Sequence, residues 1–211
     1  MIRVLIADDH AVVAEGLQHV VEAQEDMEVL ACVPDGREAV RVSLETLPDI
    51  VLMDHAMPSM NGTEATRVLH ERLPATRIIM LSMYSDPVHV CRALQAGASG
   101  YVVKRSAAKE VVDAIRQVHR GRRYLSSPLV DTVIDQFTAA SPDPLELLSS
   151  RERQVLQLLS ESRSVLDIAK TLSLSPKTVE TYRSRMMDKL GIRDVPGLVR
   201  FAIRHGMTPL E

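Results

Sequence analysis

Over its first 120 residues the chain alternates between short apolar runs and stretches whose apolar residues recur at helical spacing. Ile2-Arg3-Val4-Leu5-Ile6-Ala7 and Ile50-Val51-Leu52-Met53 are runs of strand length with almost no polar alternation. Such runs read as parallel strands buried on both faces. Between them Val13, Leu17, Val20 and Val21 share one face of a helix, Val29 to Val33 is a further strand, and Asp35-Gly36 opens a second helix. A helix is expected from about Asn61 to Leu73, where Pro74 stops it. Ile78 to Leu81 predicts a fourth strand ending at Ser82, followed by a helix up to Gly97, a residue suited to a left-handed C-cap. Tyr101-Val102-Val103 predicts a fifth strand ending at Lys104, and Val111, Ile115 and Val118 mark a helix beginning after Ser106. Alternation at βα spacing implies a parallel sheet covered by helices on both faces.

Residues 121–147 break this rhythm and are expected to link two domains, 1–120 and 148–211. Gly121-Arg122-Arg123 is a polar break, Leu129, Val130, Val133, Ile134 and Phe137 predict a helix over 128–137, and Thr138 to Pro144 is small and Pro-rich. Beyond it the pattern is all helical. Ser149-Ser150-Arg151-Glu152 has the form of a capping box, and Ser164 to Asp167 repeats it. Ser175-Pro176 supplies an N-cap and a first-turn proline for a helix running to Leu190 and closing at Gly191. Only Ser173-Leu174 separates that helix from the one before, which forces a tight helix-turn-helix. A last helix is expected over about Val195 to His205.

Composition narrows the classes. No apolar stretch approaches the roughly 20 residues of a membrane helix, and nothing at the N-terminus resembles a signal peptide, so a cytoplasmic protein is expected. Cys32 and Cys91 lie in apolar contexts without a Cys/His cluster and are expected to be buried thiols. Residues 1–144 hold 14 Lys/Arg against 20 Asp/Glu, a balance of −6, whereas residues 145–211 hold 11 against 8, a balance of +3. An acidic front and a mildly basic tail suggest different partners for the two domains.

Asp8, Asp9, Asp54, Ser82 and Lys104 each fall at the carboxyl end of an expected strand, the edge where open α/β sheets collect ligands. Three carboxylates there repel one another unless a cation joins them. Hard oxygen donors with room for water suit Mg2+, which usually binds through one or two carboxylates plus a phosphate. With a lysine and a hydroxyl to hold phosphoryl oxygens, an aspartate could accept a phosphoryl group as nucleophile. Each residue alone has a plainer reading: Asp8 and Asp9 as helix caps, Lys104 as a solvated charge, Ser82 as a backbone partner. Five in register favour a site.

Asp8-Asp9, Met53-Asp54 with Met57-Pro58 and Asn61-Gly62, Ser82, Ala96-Gly97-Ala98, Gly100-Tyr101 and Lys104 resemble the receiver domain of bacterial two-component response regulators. The resemblance covers about residues 1–120 and implies an α/β flavodoxin-like fold, doubly wound, with five parallel strands. It implies that Asp54 takes a phosphoryl group from a phosphohistidine on a sensor histidine kinase, the receiver catalysing only its own phosphorylation and dephosphorylation. Asp9 and Asp54 would ligate Mg2+ directly together with the backbone carbonyl of Ala56, and Asp8 would act through a metal-bound water. Ser82 and Lys104 would bind phosphoryl oxygens, and Tyr101 would be the aromatic whose rotamer follows Ser82. A dianion at Asp54 would draw Ser82 and Lys104 inward and vacate space for Tyr101. Two positions depart from the family pattern. Arg105 stands where receivers often carry Pro. His55 follows the phosphoacceptor where an apolar residue is usual, either as a histidine at the core's edge or as a residue that alters the lifetime of the phosphoryl group.

Leu148-Ser149, Arg151-Glu152, Val155-Leu156, Ile168-Ala169, Leu172, Ser175, Lys177-Thr178-Val179-Glu180 and Lys189-Leu190-Gly191 resemble the LuxR-type helix-turn-helix, an all-α four-helix domain. Joined to the receiver, it makes the chain similar to a NarL/FixJ-family response regulator. The resemblance implies a second helix of the motif lying in the major groove of promoter DNA, a homodimer in the active state, and RNA polymerase as a further candidate partner. The residues agree: Val179, Tyr182, Met186 and Leu190 form an inward stripe. Glu180, Thr181 and Ser184 are candidates for base edges, and Lys177, Thr178, Arg183 and Arg185 for phosphates. A balance of +3 is weak for DNA affinity, so pairing is expected to add contacts. Leu198, Val199, Ala202 and Ile203 give the last helix an apolar face, part of which must be core in any case; the family uses that helix for pairing, and Leu198, Val199 and Ala202 are the candidates for it. Ser162, Val165 and Leu166 stand where the family commonly has Gly, Asn and Lys. Val165 and Leu166 are expected to be buried against a neighbour, the alternative being a patch that meets the receiver or the linker.

Two other functions remain to be weighed. A Mg2+-dependent aspartyl-phosphate enzyme predicts a second carboxylate two residues beyond the nucleophile, where Ala56 stands, and has no use for a helix-turn-helix. A DNA-binding regulator that uses the receiver only for pairing has no use for the acidic constellation.

Overall fold

The computed structural model describes residues 1–83, 87–104, 108–129 and 143–207. Contacts divide the chain into two units, Met1–Ala140 and Ser141–Glu211.

In the first unit the strands are β1 (Ile2–Ala7), β2 (Met27–Val33), β3 (Ile50–Asp54), β4 (Arg77–Ser82), β5 (Gly100–Val103) and β6 (Tyr124–Leu125). They form one parallel sheet in the order β2-β1-β3-β4-β5-β6. The crossovers are helices α1 (Ala11–Glu22), α2 (Gly36–Thr46), α3 (Gly62–Arg72), α4 (Pro87–Gln95) and α5 (Ala108–His119). Successive strand residues point to opposite faces, and here both faces are covered. Leu5, Val51, Met53, Met80 and Tyr101 pack with Val42, Leu69 and Val90 of α2, α3 and α4. Val4, Ile6, Leu52, Ile79 and Leu81 pack with Val21, Val112 and Ile115 of α1 and α5. Double coverage is why the runs carry almost no polar residue.

Local chemistry sets the helix ends. The Asp35 carboxylate accepts from the backbone N–H of Arg37 at 2.8 Å and of Glu38 at 3.0 Å, and Asn61 Oδ1 accepts from that of Glu64 at 2.9 Å. Gly97 follows α4 at φ +107°, and an added Cβ would lie 2.3 Å from the His70 ring.

The sheet departs from expectation in having six strands rather than five. Tyr124–Leu125 adds in parallel to Gly100–Tyr101. The Tyr124 N–H donates to Ser99 O at 3.1 Å and the Ser126 N–H to Tyr101 O at 3.0 Å. A two-residue strand after a polar turn is too short to show a period, so only its partner reveals it. Of the residues expected to form the linker over 121–147, Leu129 lies in the first core and Leu145 in the second. The helix expected over 128–137 falls outside the described residues except for a 3-10 turn at Ser127–Leu129. Cys91 is buried but Cys32 is exposed, because β2 is the edge of the sheet.

The second unit opens with a 3-10 turn, Pro144–Leu147, and continues as α6 (Ser150–Ser160), α7 (Val165–Leu172), α8 (Pro176–Leu190) and α9 (Val195–Arg204). Ser149 and Glu152 form the reciprocal capping box, and Ser164, Ser175 and Asp194 cap α7, α8 and α9. Gly191 ends α8 at φ +66°. Val155, Leu156, Ile168, Val179, Met186, Leu198 and Ala202 make its core. Leu198 and Ala202, expected on a pairing face, are therefore corrected. Both are fully buried under their own domain because α9 packs against α6, and of the three residues only Val199 is partly exposed. Burial is also half right for the α7 pair: Val165 packs against the core, but Leu166 is 70% exposed.

Candidate functional site

The carboxyl ends of β1, β3 and β5 bring Asp8, Asp54 and Lys104 together. Lys104 Nζ lies 2.7 Å from Asp8 Oδ2 and 2.9 Å from Asp54 Oδ1. Asp8 and Asp54 are buried while Asp9 is partly open to solvent. Asp54 is thus buried between one lysine and other acids. Burial pushes the Asp54 carboxyl up to about 6; Lys104 opposes the rise, and the charges of Asp8 and Asp9 add to it.

Sequence reasoning missed His10 as a member of this group. Its Nδ1 lies 2.8 Å from Asp9 Oδ1 and its backbone N–H donates to Asp8 Oδ1 at 3.0 Å. One donor atom each from Asp8, Asp9, His10 and Asp54 lies within 4.8 Å of the others. The signal was present, since a third side chain with a donor directly follows the acidic pair. Asp8 Oδ2 is buried and makes no directed hydrogen bond, its contact with the Lys104 ammonium being ionic. A buried anionic oxygen of this kind and a set of hard carboxylate donors fit a divalent cation such as Mg2+.

The loop after Asp54 folds back onto its own strand. The Gly62 N–H donates to His55 O at 3.0 Å, and a Cβ on Gly62 would stand 1.9 Å from the Asp54 carbonyl oxygen. Only glycine fits there, which gives the Asn61-Gly62 pair a steric cause. Ala56 lies in that loop, half-buried. His55 is buried, with its ring edge-on to His89 of α4 at 4.8 Å and its Nδ1 3.4 Å from Thr63 Oγ1. Ser82 ends β4 and is buried, and its carbonyl accepts the Lys104 N–H at 2.8 Å. Tyr101 is completely buried among Met80, Val90 and Leu129.

In the second unit the face of α8 opposite Val179 and Met186 carries Lys177, Thr181, Ser184 and Arg185 in exposed positions, with Thr178, Glu180 and Arg183 half-buried. Several are occupied within the helix. Arg183 pairs with Glu180, Thr181 Oγ1 donates to Lys177 O at 2.9 Å, and Thr178 Oγ1 meets Ser175 Oγ at 2.8 Å. A contact that sequence reasoning did not anticipate orients α8. Lys189 Nζ lies 2.6 Å from Glu152 Oε2, the same oxygen that accepts the Ser149 N–H at 2.7 Å. Burial pushes the Glu152 carboxyl up, but the hydrogen bonds from Lys189 and Ser149 outweigh it and hold the group below the ordinary glutamate range.

Known families match both units. Residues 4–116 match the response regulator receiver domain, and residues 146–202 match the bacterial regulatory proteins of the luxR family. The chain is a two-component response regulator of the NarL/FixJ family. It acts on DNA to regulate transcription. It is 36% identical over 211 residues to the oxygen regulatory protein NreC of Staphylococcus epidermidis, covering 96% of this chain and 97% of that protein. A LuxR-family two-component response regulator from Aurantimonas sp. is similar in structure, with 37% identity and a TM-score of 0.62 over 64% of this chain and 97% of the other. RcsB, solved as two dimers bound to two parallel DNAs, matches with 25% identity and a TM-score of 0.61 over 95% of this chain and 97% of the other. Among the described residues of this response regulator, no helix is long and apolar enough to cross a membrane.

Proposed function

We propose that Asp54 is the phosphoacceptor of this regulator and that phosphorylation there controls pairing and promoter binding. The observation that carries this is the Lys104 ammonium shared between Asp54 and Asp8 at converging strand ends. In the transfer an Asp54 carboxylate oxygen bonds to phosphorus while the P–N bond to the histidine of a sensor kinase breaks. Asp9 and Asp54, with the Ala56 carbonyl, would hold Mg2+ directly, and Asp8 would hold it through water. When bound, Mg2+ neutralises the carboxylates and draws charge from the phosphoryl oxygens. Lys104 then exchanges its carboxylate partners for a phosphoryl oxygen, and the Ser82 hydroxyl binds another. Tyr101 already lies inside the core, so its inward position is sterically open to it.

The helix α8 reads the major groove. Glu180, Thr181 and Ser184 meet base edges, and Lys177, Thr178, Arg183 and Arg185 meet phosphates. On binding, Arg183 leaves Glu180 for a phosphate, which frees the Glu180 carboxylate for a base donor. Pairing of α9 uses Val199 and the exposed Arg200 rather than the buried Leu198 and Ala202. The receiver covers residues 1–129 and the DNA-binding domain begins near 143. The protein works in the cytoplasm with a sensor histidine kinase, double-stranded promoter DNA and RNA polymerase as partners, and its only catalysis is on its own phosphoryl group.

The test is to treat the full chain and Asp54→Asn with acetyl phosphate and Mg2+, then follow mass, sedimentation and DNA binding. One added phosphoryl group, with pairing and tighter binding in the wild type alone, is the expected result. Equal phosphorylation of both proteins overturns the assignment of Asp54, and equal pairing and DNA binding with and without phosphate overturns the switch.

A further inference from the structure

The segment just after β6 is fastened to β5 more firmly than a passive connection requires. Ser126 is completely buried, and all its polar groups are used. Its N–H donates to Tyr101 O at 3.0 Å and its carbonyl accepts the Leu129 N–H at 2.8 Å. Its Oγ donates to Glu110 Oε1 at 2.5 Å and accepts the Val103 N–H at 3.2 Å. Glu110, on α5, also acts on the Tyr124 hydroxyl: burial first and the Glu110 charge second raise the tyrosine's proton affinity. Leu129, three residues on, is 1% exposed and lies in the same cluster as Tyr101, Met80 and Val90.

These attachments fall on particular residues. Val103 immediately precedes Lys104, whose ammonium sits between Asp8 and Asp54. Tyr101 carries both the backbone oxygen that holds Ser126 and the ring packed in the cluster that contains Leu129. Residue 129 is followed by the 13 residues, 130–142, that lead to the DNA-binding unit. A strap made of Tyr124 to Leu129 thus grips β5 at Tyr101 itself and at Val103, the residue before Lys104, and it ends where the connection to the second unit begins. Packed interiors transmit displacements between discrete arrangements rather than absorbing them. A shift of the β5 backbone at Tyr101 or Val103 must therefore either carry the strap with it or break buried hydrogen bonds.

We propose that the strap Tyr124–Leu129, locked by Ser126 and Glu110, is the element through which the state of Asp54 reaches the connection to the DNA-binding domain. This rests on the reading of Asp54 as the phosphoacceptor. In the unphosphorylated state Ser126 and Leu129 hold the start of the connection against β5; in the phosphorylated state movement of β5 releases or re-seats it. The charge on Glu110 serves the lock by accepting from the buried Ser126 hydroxyl, a charge-assisted bond that the neutral amide of Gln makes less strongly.

The test uses the full chain, with acetyl phosphate and Mg2+ as phosphodonor and a DNA fragment selected in vitro by the phosphorylated wild type. The variants are Ser126→Ala and the milder Glu110→Gln, with Asp54→Asn as control. Each variant is expected to take up phosphate within about twofold of the wild-type rate yet lose at least about fivefold of the phosphorylation-dependent gain in DNA affinity, a coupling change within the usual allosteric range. Hydrogen exchange of the 121–129 peptide in the wild type is expected to change by at least about threefold on phosphorylation. An unchanged gain in both variants, or unchanged exchange in that peptide, overturns the strap while leaving Asp54 as the phosphoacceptor. Failure of both variants to take up phosphate also overturns it, since the strap would then serve the acidic site alone. A wild type that matches Asp54→Asn in every measurement removes the reading beneath the inference, and the inference with it.

Discussion

Lys104 Nζ lies 2.9 Å from Asp54 Oδ1, so one lysine at the end of β5 neutralises a buried carboxylate at the end of β3. The same ammonium serves Asp8 at 2.7 Å, and these two contacts close the carboxyl edge of the sheet. Removing it leaves two buried acids facing each other. Lys104→Ala is expected to lower stability near neutral pH by about 2–4 kcal/mol in the presence of a chelator, as for a buried pair stripped of one partner. Added Mg2+ is expected to restore more stability to this variant than to the wild type. Thermal unfolding with and without Mg2+ measures both, and a melting point that the cation leaves unmoved would count against a metal at this cluster.

The raised proton affinity of Asp54 has a definite sign. Its carboxyl titrates near 3.8 in an unfolded chain and at about 6 in the fold, so within that window the native state holds a proton that the unfolded chain has released. Stability from this group is present at low pH and falls as pH rises, by on the order of 2–3 kcal/mol. Asp54→Asn removes the loss. In metal-free buffer it should be close to the wild type at about pH 4 and clearly more stable above about pH 7. Chemical denaturation at the two pH values decides, and a difference that does not vary with pH contradicts the buried carboxylate.

In the second unit Glu152 has two tasks, since it completes the cap of α6 and anchors Lys189 at the end of α8. Its lowered proton affinity means that its contribution is present at neutral pH and lost as pH falls through the carboxylate range. Lys189 is 41% exposed, so the ion pair is screened and the cap contributes the larger part. Glu152→Ala is expected to cost about 1–2 kcal/mol. Because α8 carries the proposed DNA contacts, DNA affinity should fall by more than the loss of folded protein explains, as read by titration well below the melting point.

Leu166 and Val165 are neighbours with different fates. Leu166, at 70% exposure, has little burial to lose, and Leu166→Lys should change stability by less than about 0.5 kcal/mol. Val165 packs on the core, and Val165→Asn should cost about 1–2 kcal/mol. If the first turn of α7 stands beside the DNA backbone, the added lysine should also steepen the salt dependence of binding by about one ion. Melting curves and binding at several salt concentrations test the pair, and a stability loss for Leu166→Lys equal to that for Val165→Asn would show Leu166 covered in solution.

Period and punctuation made the helices and longer strands of this regulator readable from residues alone. Its central strands are covered on both faces, so their runs are uninterrupted, and Ser149, Ser164, Ser175 and Gly191 mark helix ends by bonds within a few residues. The acidic site was readable for the same reason: parallel strands of known direction put Asp8, Asp54 and Lys104 on one edge whatever the details of packing. Other features depend on neighbours remote in sequence. Tyr124–Leu125 is a strand only because Ser99 and Tyr101 offer it partners. Leu198 and Ala202 show the limit most plainly. An apolar stripe on a helix records that something covers it, and whether the cover is the protein's own core or a second copy is decided by how α9 packs in three dimensions.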